Sequence, residues 1–269
     1  MSAKKHYELL KEYISEYPGA IVAFSGGVDS SLVLAAAADA LGDSASAVTW
    51  HTEVTPDAEI EAAVVLAENL GVSHRVLSAS FLDNKKAASN PPDRCYHCRS
   101  QMYGEIKKMA AASGNGTVIM EGVNTDDLSD VRPGIAAARE VGVVHPLVEV
   151  GMTKTDVRNA ARSIGLPNWD KEASPCLASR VSYGTPITAD VLTRIYAAES
   201  FLRARGFTHV RLRVIDDIHA RIEVAAQQVP AARADFLAIN TALCSLGFAR
   251  AEIDERGYRP GSMNEDATR

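Results

Sequence analysis

Seven consecutive residues, Ser25-Gly26-Gly27-Val28-Asp29-Ser30-Ser31, have the types and spacing to hold an anion. They follow an apolar run at residues 20–24 and precede another at 32–36, the pattern of strand, loop and helix. A helix that starts straight after a strand leaves its first backbone N–H groups unpaired, and its dipole adds positive potential there. Gly26 and Gly27 let a phosphate approach with no Cβ in the way, while Ser25, Ser30 and Ser31 add hydroxyl donors. Asp29 is the odd member, because a carboxylate beside phosphate is repelled unless Mg²⁺ bridges them. The ending lacks the Gly-Lys-Ser/Thr of a Walker loop. A ligand-free tight turn explains the glycines but not Asp29 and the serines together.

The cysteines form a second group. Cys95 and Cys98 are three apart at the start of a predicted helix, so their thiols can share one face. Cys176 lies in the separate stretch Ala173-Ser174-Pro175-Cys176-Leu177-Ala178-Ser179-Arg180. Three thiolates suit a four-iron cluster with one open iron. A closed zinc site needs a fourth ligand, which His51, His97 or His145 could provide. A redox pair or two buried thiols are the plainer readings. Cys176 could also act alone as a nucleophile beside Arg180 and a bound nucleotide. Cys244, in the apolar run 242–246, reads as a small core residue.

The elements that must position these groups follow from the pattern. Strands are expected at residues 20–24, 46–52, 74–79 and 117–120, with helices between them, including 56–70 and 94–113. That alternation indicates an α/β fold, a parallel sheet with helices on both faces, whose ligands bind at the carboxyl ends of the strands. The Gly-rich loop and Glu121-Gly122-Val123-Asn124 both fall at that edge. A capped helix starts at Thr153 and ends at Gly165, followed by an irregular stretch at 166–187 long enough to suggest function. Beyond it a helix at 188–206, strands at 209–215 and 219–224, a helix near 230–246 and a strand at 249–254 indicate a small α+β unit. The boundary is expected near residue 186, giving domains 1–185 and 186–269.

Composition narrows the setting. The 269 residues are 46% hydrophobic and 23% charged, which is ordinary for globular chains. The absence of a long apolar run argues against a membrane span, and the polar start, without a secretory signal, points to the cytoplasm. A net charge of -6 argues against a nucleic-acid partner, though not against a small anionic substrate.

The loop matches the Ser-Gly-Gly-x-Asp-Ser signature of the PP-loop ATP pyrophosphatases, which form AMP and pyrophosphate. A wider ordered set resembles the LarE family. It comprises Ser25 to Ser31, Arg94-Cys95-Tyr96-x-Cys98, Asn124-x-Asp126-Asp127, Arg132-Pro133-Gly134, Cys176-Leu177-Ala178-Ser179-Arg180 with Tyr183-Gly184-Thr185, and Gly257-Tyr258-Arg259-x-Gly261-Ser262-Met263-Asn264. The resemblance implies a PP-loop/HUP-like fold and an ATP-dependent sulfur transferase of nickel-pincer nucleotide synthesis. Such an enzyme adenylates the carboxylates of pyridinium-3,5-biscarboxylic acid mononucleotide and converts them to thiocarboxylates. Some members sacrifice the sulfur of the cysteine matching Cys176. Others hold a [4Fe-4S] cluster on three cysteines, the pattern matched by Cys95, Cys98 and Cys176. The family also implies a homo-oligomer; the sulfur donor is not legible. By resemblance, Ser179, Arg180, Glu199, Arg211 and Arg213 bind substrate. Arg211 and Arg213 alternate on a predicted strand, so both guanidinium forks face one side, as a phosphate requires. Asn124 and Asp127 are expected to help hold ATP or Mg²⁺, with loop capping as the alternative.

Overall fold

The structure, a computed structural model, describes residues 2–114, 116–129 and 133–259. The chain divides into two compact units. One comprises residues 1–80 and 95–174, the other residues 81–94 and 175–269.

The first unit opens with α1 (Ala3–Ser15), β1 (Ala20–Ala23) and α2 (Val28–Leu41), followed by β2 (Ala45–His51), α3 (Asp57–Asn69) and β3 (Ser73–Ser78). The chain then enters the second unit, where α4 (Lys85–Ala88) lies, and returns along α5 (Arg94–Ser113) to β4 (Val118–Glu121). α6 (Pro133–Val141), α7 (Pro146–Glu149) and α8 (Lys154–Ser163) complete it. The sheet order is β3-β2-β1-β4 with every pairing parallel, as the alternation of elements predicts. β1 and β2 put alternate residues on opposite faces. Ala20, Val22, Ala45 and Ala47 join a core with α1, α2 and α8, whereas Ile21 and Val48 join another with α5 and α6. α2 is buried nearly all round, from Val28 through Ala37, which fits its unbroken apolar sequence.

In the second unit α9 (Ala189–Ala204) precedes β5 (Arg211–Val214) and β6 (His219–Glu223), then α10 (Val229–Ala234), α11 (Phe236–Ser245) and β7 (Arg250–Ile253). β5 pairs antiparallel with β6, and β6 parallel with β7. The expected single helix near 230–246 is broken at Asp235, whose Oδ1 accepts from Arg205 Nη2 at 2.6 Å.

By packing, the change of unit falls between Ser174 and Pro175 rather than near 186, and residues 81–94 cross over too. The reason is a buried polar knot. Asn90, at φ 59°, donates through Nδ2 to Ser182 O at 2.8 Å and Thr185 O at 2.9 Å. Its Oδ1 accepts from Arg94 Nη1, which also reaches Ala178 O at 2.9 Å. No helix of the described residues is long and apolar enough to cross a membrane.

Candidate functional site

In the first unit the phosphate-binding candidates gather where β1 meets α2. Gly26 takes φ 69°, a conformation open to glycine, and a Cβ there would lie 3.1 Å from Ala63 Cβ. Gly27 is the N-cap of α2 and makes no side-chain cap bond, so the capping serines of ordinary helices are not spent on these amides. The serines shape the loop instead. Ser31 Oγ donates to Gly27 O at 2.8 Å and Ser30 Oγ to the same oxygen at 3.1 Å. Ser25 Oγ accepts from Gly27 N at 3.3 Å and remains exposed, whereas Ser30 and Ser31 are buried.

Asp29 stands at the first turn of α2 between two partners. Asn124 Nδ2, beyond the end of β4, donates to its Oδ1 at 3.1 Å, and Lys154 Nζ pairs with its Oδ2. Asn124 is itself fixed: Asp127 Oδ2 accepts from its N–H at 3.1 Å, and its Oδ1 accepts from Asp126 N at 3.0 Å. Asp127 thus caps the loop that aims Asn124 at Asp29. Close approach is possible because residue 122 is glycine. A Cβ there would sit 2.4 Å from Ser30 N.

Lys154 escaped the sequence reading, yet it left a signal. It is the first residue of α8, where the helix dipole disfavours a cation unless an anion is near. Its helix is fixed by a capping box in which Thr153 and Asp156 bond reciprocally, and the hydrogen bonds from Thr153 hold the Asp156 carboxyl below its ordinary range. Asn168 and Lys171 were also missed. Asn168 Nδ2 donates to Gly26 O at 3.1 Å and Ser31 Oγ at 2.9 Å, and Lys171 Nζ reaches Gly26 O at 3.3 Å and Glu59 Oε2 at 2.8 Å. Two donors from the irregular stretch therefore hold the Gly26 carbonyl.

Cys95, exposed, and Cys98, partly buried, occupy the start of α5 in the first unit, and Cys176, partly buried, belongs to the second. None of the cysteines is in a disulfide. Among the described residues no group of three or more His, Cys, Asp or Glu side chains is gathered as a metal site.

The second unit brings together the residues expected to meet substrate. Arg180, 2% exposed, binds both oxygens of Glu199 at 2.9 and 3.2 Å, and its Nη1 donates to Pro175 O, Cys176 O and Ser179 Oγ. Every nitrogen of Arg180 is engaged within the unit, so in this arrangement it frames the loop that presents Cys176. Burial opposes the charge on Glu199, but Arg180, Arg203 and the Leu212 N–H more than offset it and hold the carboxyl below its ordinary range. Arg211 and Arg213 do share one side of β5. Arg213 pairs with Glu223 and donates to Ser179 O at 2.8 Å. Arg211 lies 5.0 Å from the centre of the Tyr258 ring, and burial followed by the nearby Arg180 charge lowers its pKa. Arg132, and residues 261–264 of the C-terminal motif, lie outside the described residues.

The NAD synthase family model matches residues 3–91, the segment that carries the Gly-rich loop. Over 253 residues the chain is 41% identical to pyridinium-3,5-bisthiocarboxylic acid mononucleotide synthase of Lactiplantibacillus plantarum, covering 92% of this chain and 90% of that one. An uncharacterised protein of Synechocystis sp. is 38% identical over 97% of this chain and 98% of its own length. An NH3-dependent NAD⁺ synthetase of Aeropyrum pernix is 39% identical over 77 residues, 27% of each chain.

Proposed function

The chain belongs to the LarE family of pyridinium-3,5-bisthiocarboxylic acid mononucleotide synthases, and from that premise we propose an ATP-dependent sulfur transferase serving nickel-pincer cofactor synthesis. The substrate is a pyridinium biscarboxylate mononucleotide, and the product its thiocarboxylate. The observation that carries the reading is Asp29, held by Asn124 and Lys154 at a helix start whose amides no side chain caps.

The first step needs no general base, because a substrate carboxylate is already a nucleophile. The α2 amides and Lys154 would bind and orient the triphosphate, so that the carboxylate oxygen attacks the α-phosphorus and pyrophosphate leaves. Asp29 fits a magnesium ligand: it offers carboxylate oxygens at the edge where phosphate would lie, and its present partner is an accessible ammonium that can turn to phosphate. When bound, Mg²⁺ supplies charge neutralisation there. Arg211 and Arg213 are assigned the substrate phosphate, with Ser179 beside them, and Arg180 and Glu199 hold their surroundings. The second step needs a sulfur anion at the acyl carbon, displacing AMP. Cys95, Cys98 and Cys176, thiols outside any disulfide, have the donor chemistry of thiolate ligands to a [4Fe-4S] cluster, which when bound supplies that sulfur.

The test is to incubate reconstituted, anaerobic protein with ATP, Mg²⁺ and the biscarboxylate nucleotide. AMP and a thiolated product are expected together, and no substrate-dependent AMP would reject the assignment. Iron and acid-labile sulfide, lost on Cys95→Ala, are expected in the anaerobic preparation; stoichiometric zinc without iron would overturn the cluster.

A further inference from the structure

We propose that Arg99 is a positioning residue for sulfur at Cys95 and Cys98, its guanidinium held by Glu121 and Tyr103 so that fixed positive charge favours anionic species at that pair. The proposal rests on the reading of this pair as part of the sulfur centre.

Cys95 and Arg99 are four apart on α5, hence neighbours on one stripe, and Cys98 directly precedes Arg99. A solvent-borne arginine in that place would do little, but this one is anchored. Its Nη1 donates to Glu121 Oε2 at 3.0 Å and to Tyr103 Oη at 3.4 Å, and Tyr103 donates to the same carboxylate oxygen at 2.5 Å. Glu121 ends β4 and its side chain is only 7% exposed, so the cation is tied to the sheet. Nε and Nη2, the other edge of the fork, make no hydrogen bond among the described residues. That edge is the one arginine offers to anions.

The motif Arg132-Pro133-Gly134 gains a partial reason here. A Cβ on Gly134 would lie 2.5 Å from Arg99 Cδ and 2.9 Å from its Nε, so a glycine is what lets the side chain lie where it does. His145 Nδ1 faces Glu121 Oε1 at 3.3 Å, and neither atom has a hydrogen bond among the described residues. Burial holds His145 below its ordinary value, which keeps the imidazole neutral near pH 7 and leaves the cluster's positive charge on Arg99. Glu121 cancels much of the field at a distance, so the effect is confined to groups beside the guanidinium.

The experiment reads that local field directly. Full-length reduced protein, stripped of metal and without nucleotide, is alkylated in parallel with iodoacetate, an anion, and iodoacetamide, which is neutral. Cys244, exposed rather than the core residue its apolar run suggested, serves as the reference. Rates at Cys95, Cys98 and Cys244 are followed by peptide mass spectrometry, and the ratio of the two reagents cancels thiolate fraction and access. Arg99→Gln is expected to lower the ratio at Cys95 and Cys98 by about threefold or more, with Cys244 unchanged. Arg99→Lys should restore most of it, and Gly134→Ala, which displaces the side chain at constant charge, should lower it. Should Arg99→Gln not fold, the double variant Arg99→Met/Glu121→Met removes both charges of the pair and must still lower the ratio, by less than loss of Arg99 alone. An unchanged ratio at both cysteines in a folded variant, or an equal fall at Cys244, overturns the proposal. No ATP or carboxylate takes part, so failure here and failure of the sulfur-transfer assay are separate results.

Discussion

Asp29 in the first unit and Glu199 in the second are both carboxylates held by a cation, but they are built for different ends. Asp29 has one lysine and one amide, and its side chain is 20% exposed against 36% for Lys154. Glu199, 1% exposed, is bound on both oxygens by Arg180, again by Arg203, and by the Leu212 N–H. A partly open pair with few bonds can trade its partner for a metal ion or a phosphate. A saturated buried pair would have to give up several bonds at once, which suits a frame and not an exchanging site.

Removing each carboxylate separates the two roles. Glu199→Ala leaves Arg180 buried without its partner and is expected to cost about 3–5 kcal/mol, read as a lower urea midpoint. Asp29→Ala should leave the midpoint nearly unchanged, since a partly exposed pair contributes about 1 kcal/mol or less. Its loss should appear in AMP formation, by about 10²–10³-fold. If Asp29→Ala unfolds the protein while Glu199→Ala does not, the comparison is backwards. Lys154→Met sharpens it. Loss of a charged donor to phosphate is expected to raise the KM for ATP by about tenfold or more, with stability little changed.

Acid should sort the units more gently. His145 and His74 in the first unit have pKa values lowered chiefly by burial from an ordinary 6.5. Below 6.5 the unfolded chain binds protons that the folded one refuses, so their contribution to stability is present above that pH and falls as pH falls. Glu199 is lowered from an ordinary 4.5, so its contribution holds down to that pH and is lost only in stronger acid. Protection against hydrogen exchange should therefore weaken around His74 and His145 before α9 and β5 as pH falls from 6.5 to 4.5. The opposite order would contradict the assignment of those groups.

Much of the first unit was legible because it is local. The run of apolar residues, two glycines and a serine-rich helix start fixed the loop between β1 and α2, and the strand spacing placed Asn124 at the same edge as Asp29. What escaped was long-range. Lys154 meets Asp29 across 125 positions, and only its unfavourable place at a helix start hinted at an anion. Asn168 and Lys171 lie in the irregular stretch, where no period marks them, although both donate to the Gly26 carbonyl. Asn90 gave no sign that it would carry residues 81–94 into the second unit, because three carbonyls more than ninety positions away decide its conformation. Arg180 came from the family resemblance, but its engagement with Glu199 and the Cys176 carbonyl depends on a helix and a loop whose packing no period reveals.

The central claim is that a carboxylate oxygen attacks the α-phosphorus of a triphosphate held at Asp29. Substrate labelled with ¹⁸O in its carboxylates tests this most directly. The expected result is AMP carrying one ¹⁸O in its phosphate, formed by the wild-type chain and lost in Asp29→Ala. Product formed with unlabelled AMP, or with ADP in its place, would contradict it.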